Sequence, residues 1–158
     1  MKFVFNFLAS GFGVSLIPAA ILKGKKNTGA GFLGTLVAVP LALLIMPENW
    51  LLQIFFLINF TLFAVWVSAN ATFEGQDNPK IVIDEIAGYF FAIAFLPRTA
   101  EMIILAFIFF RIFDWLKPFF IKKFDEMKNA WGVVFDDVAA GILANVILWI
   151  YILIMRSI

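Results

Sequence analysis

Residues 50–71 read WLLQIFFLINFTLFAVWVSANA, an apolar stretch without a single ionisable side chain. A helix that crosses the hydrocarbon core of a bilayer needs roughly 20 consecutive apolar residues. Because residues 50–71 meet that length, they predict a membrane-spanning helix. The rest of the chain must then be compatible with a protein built in or on a membrane.

The overall composition agrees with that expectation. The chain has 158 residues, of which 63% are hydrophobic, and its mean hydropathy is +0.99. An ordinary soluble domain is roughly 45–50% apolar. The apolar runs are too long and uniform for the alternating strands of a β-barrel. We therefore predict an all-α fold: a polytopic membrane helical bundle with several short or broken helices, forming one membrane-embedded domain over residues 1–158.

Five more apolar segments accompany residues 50–71, and several of them are short. They cover about 3–22, 31–46, 86–96, 102–116 and 138–155. Only the first and last approach the length of a full span. The polar ends of the short segments are therefore expected inside a protein-lined pocket, or else these segments are buried helices of a partly embedded domain. Glycine and proline interrupt residues 3–22, so a re-entrant hairpin is an alternative to a membrane span there.

The distribution of charge predicts an orientation. If all six segments cross, one side receives the loops 23–30, 72–85 and 111–137, which hold nine of the twelve Lys and Arg residues. The positive-inside rule makes that side cytoplasmic. Nine of the eleven acidic residues lie in the same loops. This shared face predicts a single functional site on the cytoplasmic side.

The acidic residues nearest the apolar segments form three groups: Asp84-Glu85, Asp114 and Asp136-Asp137. Ionisable groups beside membrane segments are costly and usually serve function. The structural alternative is that each pair caps a helix or interacts with its dipole. One carboxylate suffices for a cap, and two adjacent ones repel unless a cation lies between them. We therefore predict a metal role for Asp136-Asp137, with capping as the alternative.

Arg111, Asp114 and Lys117 are spaced three residues apart, which would place them along one broad face of a helix. Two cations beside an acid can bind phosphate oxygens. An ion pair within the helix plus a lysine reaching toward the interface explains the same pattern. The residue types alone leave both interpretations open.

Histidine and cysteine are absent. Their absence excludes acid–base catalysis by histidine and nucleophilic catalysis by a thiol. It also excludes a zinc site built from histidine and cysteine ligands. Ligands that offer only oxygen suit Mg²⁺, and our hypothesis is that Asp84, Glu85 and one or both of Asp136 and Asp137 hold it. A net charge of +1 gives no field that would select nucleic acid, so no nucleic-acid partner is expected; the oligomeric state is left open.

Two glycine-containing stretches remain, at 11–13 and 28–35. A glycine-rich helix start can bind an anion through its N–H groups. The second stretch is not a Walker A loop, because no Gly-Lys-Ser/Thr closes it. Glycine is common in membrane helices for close packing, and we favour that explanation.

Five pieces of the chain resemble the phosphatidylglycerophosphatase A family in order and spacing. They are LASGFG at 8–13, GTLVAVP at 34–40, IVIDEIAG at 81–88, FRIFDWLKP at 110–118 and GVVFDDVAAG at 132–141. The chain departs from the family's usual Pro-Gly-Thr-x-Gly-Ser pattern, since residues 30–35 read AGFLGT after an enlarged, lysine-rich loop. Thr28 or Thr35 is the candidate for the hydroxyl role there.

The resemblance implies a Mg²⁺-dependent phosphatase of the bacterial inner membrane that converts phosphatidylglycerophosphate to phosphatidylglycerol. The implied roles are catalysis by Asp84, Asp114, Asp136 and Asp137, and phosphate binding by Arg111 and Lys117. The nucleophile is left open between water activated by the metal and an aspartate, Asp114 or Asp136. A small membrane transporter or channel is the alternative function, since intramembrane charge fits that class too.

Overall fold

The computed structural model describes residues 1–21, 29–73 and 78–157, and the regular structure within these ranges is entirely α-helical. The predicted all-α class is therefore confirmed. The helices of the described ranges are α1 (Lys2–Ala9), α2 (Leu16–Ile21), α3 (Ala30–Ile45), α4 (Trp50–Asn70), α5 (Ile83–Ile93), α6 (Ala100–Leu116), α7 (Phe119–Asp125) and α8 (Ala130–Ser157).

The short helix α5 is the centre of the bundle. It packs against α3, α4, α6 and α8, and nine of its eleven residues are buried. Eleven residues rise only about 16 Å, roughly half the thickness of a bilayer core. The carbonyls of Ala92 and Ala94 at its far end accept hydrogen bonds from Asn145 Nδ2 of α8. Because α8 satisfies these groups, α5 can end inside apolar surroundings.

Helices α4 and α8 are the two in the described ranges that are long and apolar enough to cross a membrane. Each leaves large apolar side chains exposed, among them Trp50 and Phe55 on α4 and Ile150 and Leu153 on α8. Contiguous exposed apolar surface is typical of a membrane-facing protein. These helices suggest membrane association.

The first predicted segment is broken. Helix α1 ends at Ala9, and Gly11, Phe12 and Gly13 all have positive φ angles before α2 begins at Leu16. A continuous helix cannot pass through three such residues. Within the described residues this segment is therefore a helix, a tight turn and a second short helix, as a re-entrant hairpin requires.

Two local details differ from the prediction: the last segment was expected to start at about residue 138, and Lys117 was expected on the same helix as Arg111 and Asp114. Helix α8 begins at Ala130, so Asp136 and Asp137 lie well inside it and do not cap its start. Lys117 follows the end of α6 with a φ of 41°, in the left-handed region, so it is not part of the helix that carries Arg111 and Asp114. Pro118 starts the next helix at once, as expected of a residue that cannot continue a helix.

Candidate active site

Two glycines bring the acidic ends of α5 and α8 together. Gly88 follows Asp84 by four residues, and Gly141 follows Asp137 by four residues, so each glycine lies one turn beyond its carboxylate. A Cβ on Gly141 would collide with the carbonyl oxygen of Gly88, and one on Gly88 would lie 2.7 Å from the carbonyl oxygen of Asp137. The backbones touch there, which holds the two carboxylates on facing surfaces.

The result is a cluster of three carboxylates, formed by Asp84, Glu85 and Asp137. One oxygen from each lies within 4.8 Å of the other two. The exposed fraction is only 8% for Asp84 and 4% for Asp137. Glu85 Oε2 is buried and has no hydrogen-bond partner in the described part of the chain. We call this group the carboxylate cluster.

Burial and mutual repulsion both disfavour the charged forms in this cluster. Burial raises the pKa of Asp84 well above its ordinary value, and repulsion from Glu85 and Asp136 raises it further. Burial also raises the pKa of Glu85, while Arg111 opposes that rise. Groups in this state need either protons or a cation between them.

The two cations predicted to bind phosphate lie next to the cluster, and each is held by a carboxylate outside it. Arg111 Nη1 lies 2.8 Å from Asp114 Oδ2, and Lys117 Nζ lies 2.7 Å from Asp136 Oδ2. The other oxygen of Asp136 accepts a hydrogen bond from the backbone N–H of Asp137. Both ion pairs therefore go to carboxylates outside the carboxylate cluster, and Arg111 offsets the repulsion at Glu85 only in part.

This arrangement fits a hard divalent ion. The cluster offers oxygen ligands only, at distances one small cation can bridge, and one of its buried oxygens lacks a partner. Mg²⁺ typically binds one or two carboxylates together with water and substrate phosphate. Asp136, the neighbour of Asp137 in the chain, forms an ion pair with Lys117. Its role as a metal ligand stays a prediction.

Helix α3 closes the site from a third side. A Cβ on Gly31 would collide with Glu85 Oε1 and lie 3.4 Å from Arg111 Nη1. Arg111 Nη1 also donates a hydrogen bond to Thr35 Oγ1 at 3.3 Å. The glycine thus gives space to the Glu85 side chain, as the packing explanation predicts, and Thr35 helps to fix the guanidinium. Thr28 lies outside the described residues.

All seven residues singled out in the sequence come to one end of the bundle. Asp114 is close enough to repel Glu85, Asp136 and Asp137. The sequence reasoning missed the contacts of Gly31 and the pairing of Gly88 with Gly141 that holds Asp84 and Asp137 together. An Asp followed four residues later by Gly, present on both helices, is the signal that could have indicated that pairing.

Several known proteins resemble the chain over most of its length. The family model described as "PgpA: Phosphatidylglycerophosphatase A" matches residues 7–152. A Haemophilus influenzae protein named phosphatidylglycerophosphatase A is 35% identical over 91% of this chain and 86% of its own length. The Escherichia coli protein of that name is 28% identical over 91% of this chain and 81% of its own.

A third relative has a different name. This Bacteroides thetaiotaomicron protein is provisionally named a phosphatidylinositol-3-phosphatase, and it is 29% identical over 89% of both chains. No solved structure matches the chain significantly.

Proposed function

The chain belongs to the phosphatidylglycerophosphatase A family, and on that premise we propose that it converts phosphatidylglycerophosphate to phosphatidylglycerol. The family and its named relatives are phosphatases, which confirms the predicted enzyme class, a phosphoric monoester hydrolase. In the proposed reaction a water oxygen bonds to the terminal phosphorus. The bond from phosphorus to the glycerol oxygen breaks, and that oxygen takes a proton. The carboxylate cluster beside Arg111 and Lys117 is the observation that carries the proposal.

We further propose that Asp84, Glu85 and Asp137 hold Mg²⁺. When bound, the ion supplies Lewis-acid stabilisation to the phosphoryl oxygens. The three carboxylates would then no longer repel one another without compensation, because a divalent cation would lie between them. The proposal is supported by their spacing and burial, and by the orphaned oxygen of Glu85.

Arg111 and Lys117 are proposed to bind the transferred phosphoryl group. Phosphoryl transfer depends mainly on positioning and on cations that offset the charge of the equatorial oxygens. Arg111 contacts Asp114 and Thr35, and Lys117 contacts Asp136. These contacts fix both cationic groups before substrate binds. Groups fixed in advance need no rearrangement in the transition state.

We propose a multi-pass position in a bacterial inner membrane, with the site on the cytoplasmic face. The site end of the bundle carries exposed Trp115 and Trp131, a residue type enriched where membrane meets water. The phosphate of a lipid lies at the same depth. Basic residues concentrate on this side as well, although Lys23, Lys25 and Lys26 lie outside the described residues.

The alternative function, a small transporter or channel, is not favoured by membership of a phosphatase family. The carboxylate cluster lies at one end of the bundle rather than along a path through it. The name of one relative indicates a second lipid substrate to test, phosphatidylinositol 3-phosphate.

The test is phosphate release by the purified protein in detergent. Phosphatidylglycerophosphate and phosphatidylinositol 3-phosphate are supplied in parallel, each with Mg²⁺ and with EDTA. We expect release from phosphatidylglycerophosphate that stops with EDTA and returns when Mg²⁺ is added in excess. Faster release from the inositol lipid would overturn the substrate assignment, and undiminished release in EDTA would overturn the metal assignment.

A further inference from the structure

The backbone just before α5 is held by a distant part of the chain. Val82, the N-cap residue of α5, is fully buried, and no side chain caps the helix there. Its backbone N–H donates a hydrogen bond to the carbonyl oxygen of Ala9 at 2.8 Å. Two residues later comes Asp84, the first member of the carboxylate cluster.

Two glycines from separate segments make room for the Val82 side chain. A Cβ on Gly11 would lie 2.8 Å from Val82 Cγ2, and a Cβ on Gly34 would lie 2.6 Å from Val82 Cβ. Even a methyl group on either one would force Val82 to move. Val82 is thus held between the N-terminal turn and helix α3.

A hydrogen bond also fixes the backbone two residues before Val82. Ser15 is fully buried, and its Oγ donates to the carbonyl oxygen of Lys80 at 2.6 Å. Within the same turn, buried Ser10 donates to Phe7 O and accepts from the backbone N–H of Gly13. These bonds maintain a turn with three consecutive positive φ angles, a backbone that persists only where its surroundings enforce it.

We propose that Ala9, Gly11 and Ser15 form a clamp that positions the start of α5, and through it Asp84 and Glu85, relative to Asp137 on α8. The residues of the clamp are positioning residues and touch no substrate. The N-cap residue Val82 makes no side-chain cap, and residues 9 and 15 hold the backbone of 80–82, which sets the direction in which the first turn of α5 points. The inference rests on the proposed function only for its activity readout.

The first experiment compares two glycines of the same turn. Gly11 and Gly13 both have positive φ, but a Cβ on Gly13 meets nothing within 4 Å. Gly11→Ala therefore adds a clash with Val82 to the backbone strain that Gly13→Ala introduces alone. We expect kcat per folded molecule to fall on the order of 100-fold in Gly11→Ala, the loss typical of about 1 Å of misplacement, and to change little in Gly13→Ala.

A second-site change tests the direction of the effect. Val82→Ala removes the Cγ2 atom that the new methyl group would strike. In the double variant Gly11→Ala/Val82→Ala we expect kcat to recover most of the loss, and Val82→Ala should rescue nothing in Gly13→Ala. Equal activity loss in the two glycine variants, or no recovery in the double variant, would overturn the proposal.

A milder pair covers the case in which Gly11→Ala does not fold. Ser15→Ala removes the bond to Lys80 O, while Thr61→Val removes a buried hydroxyl bond to Leu57 O, at 2.8 Å, within α4. We expect Ser15→Ala to lower kcat several-fold with KM nearly unchanged, and Thr61→Val to leave both nearly unchanged. Equal kcat in Ser15→Ala and Thr61→Val would contradict the clamp.

Hydrogen–deuterium exchange supplies a readout that does not depend on activity. The Val82 amide is protected by its bond to Ala9 O, so Ser15→Ala and Gly11→Ala should speed exchange in peptides covering 80–86, and Gly13→Ala should not. If the wild type releases no phosphate from the lipid, the proposed function fails while this measurement still decides the clamp. Unchanged exchange in both Ser15→Ala and Gly11→Ala would refute it.

Discussion

The two ends of helix α5 lie in similarly apolar surroundings, yet their polar groups are used in opposite ways. At its start, three carboxylates lie close together, and the ion pairs of Arg111 and Lys117 go to Asp114 and Asp136, outside that cluster. At its far end, the polar side chains bond to backbone groups that would otherwise lack partners. We call the far end of α5 the saturated end, because its polar side chains have hydrogen-bond partners within the fold.

The saturated end consists of ordinary structural contacts. Arg98 Nη2 donates to the carbonyls of Met46 and Pro47. Gln53 donates to Pro47 O and accepts from the backbone N–H of Phe95, whose φ is positive. Asn145 closes the last turn of α5. Each of these side chains satisfies a loop or a helix end that apolar surroundings would penalise.

The difference teaches how to separate structural from functional charge in a membrane protein. A polar group retained for structure has its partners within the fold, because an unsatisfied one costs about 1–3 kcal/mol. The carboxylate cluster carries part of that cost, because its members repel one another and one buried oxygen of Glu85 has no hydrogen-bond partner in the described chain. Variants at the two ends should therefore fail in different ways.

The largest effect is expected at the carboxylate cluster. Asp137→Asn keeps the shape of the side chain but removes one charge, and we expect kcat to fall by about 1,000-fold or more, as for other electrostatic groups that act in the transition state. Thermal stability should hold or rise, since one repulsive buried charge is lost. Phosphate release and thermal unfolding in detergent measure the two quantities.

Glu101→Gln is the control at the saturated end. Glu101 is exposed and accepts a hydrogen bond from the Tyr151 hydroxyl, which an amide oxygen can also accept. We expect near-normal activity from this variant. An Asp137→Asn enzyme with near-normal turnover would refute the cluster as the catalytic centre and remove the distinction between the two ends.

A smaller and better matched contrast compares two arginines. Arg111→Gln at the site should lower kcat/KM about 100-fold, as the loss of a transition-state donor does, with little change in the unfolding temperature. Arg98→Gln at the far end should instead lower stability by about 1–2 kcal/mol, because two carbonyls lose their donor. Its activity per folded molecule should stay close to normal.

Reversal of these two outcomes would show that the division between the ends is wrong. Kinetics at saturating Mg²⁺, together with urea unfolding monitored by tryptophan fluorescence, separates activity from stability in both variants. An Arg98→Gln enzyme that is fully folded but inactive would place a functional group at the far end.

Much of the fold could be predicted because its signals are local. Residues 50–71 predicted α4 over its full length, and the predicted segment 102–116 ends at the last residue of α6. The start of α8 was missed by eight residues, because Trp131 to Asp137 mix aromatic, glycine and acidic residues that read as a loop. Packing against α5 and α7 overrides that local composition.

The sequence predicted which residues form the site but not how their side chains are arranged. Charge sorting by loops placed all its ionisable residues on one face without any knowledge of contacts. Which carboxylates pair with cations depends on where Lys117 points after α6 ends, and its left-handed backbone conformation cannot be read from residue spacing. The glycines at 11, 31 and 34 could be expected to pack closely, but not against which side chains.

The smallest expected effect sharpens the comparison at its site end. Thr35 is fully buried, and its hydroxyl accepts from Arg111 Nη1 and donates to Gly31 O. Thr35→Val keeps the shape and removes the hydroxyl, so Arg111 loses a bond worth about 1 kcal/mol, or about fivefold in kcat/KM. Thr35→Ser should retain activity, since it keeps the hydroxyl. Steady-state kinetics of both variants decide the point: equal rates would show that Asp114 alone orients Arg111, whereas a loss confined to valine would extend the site to α3.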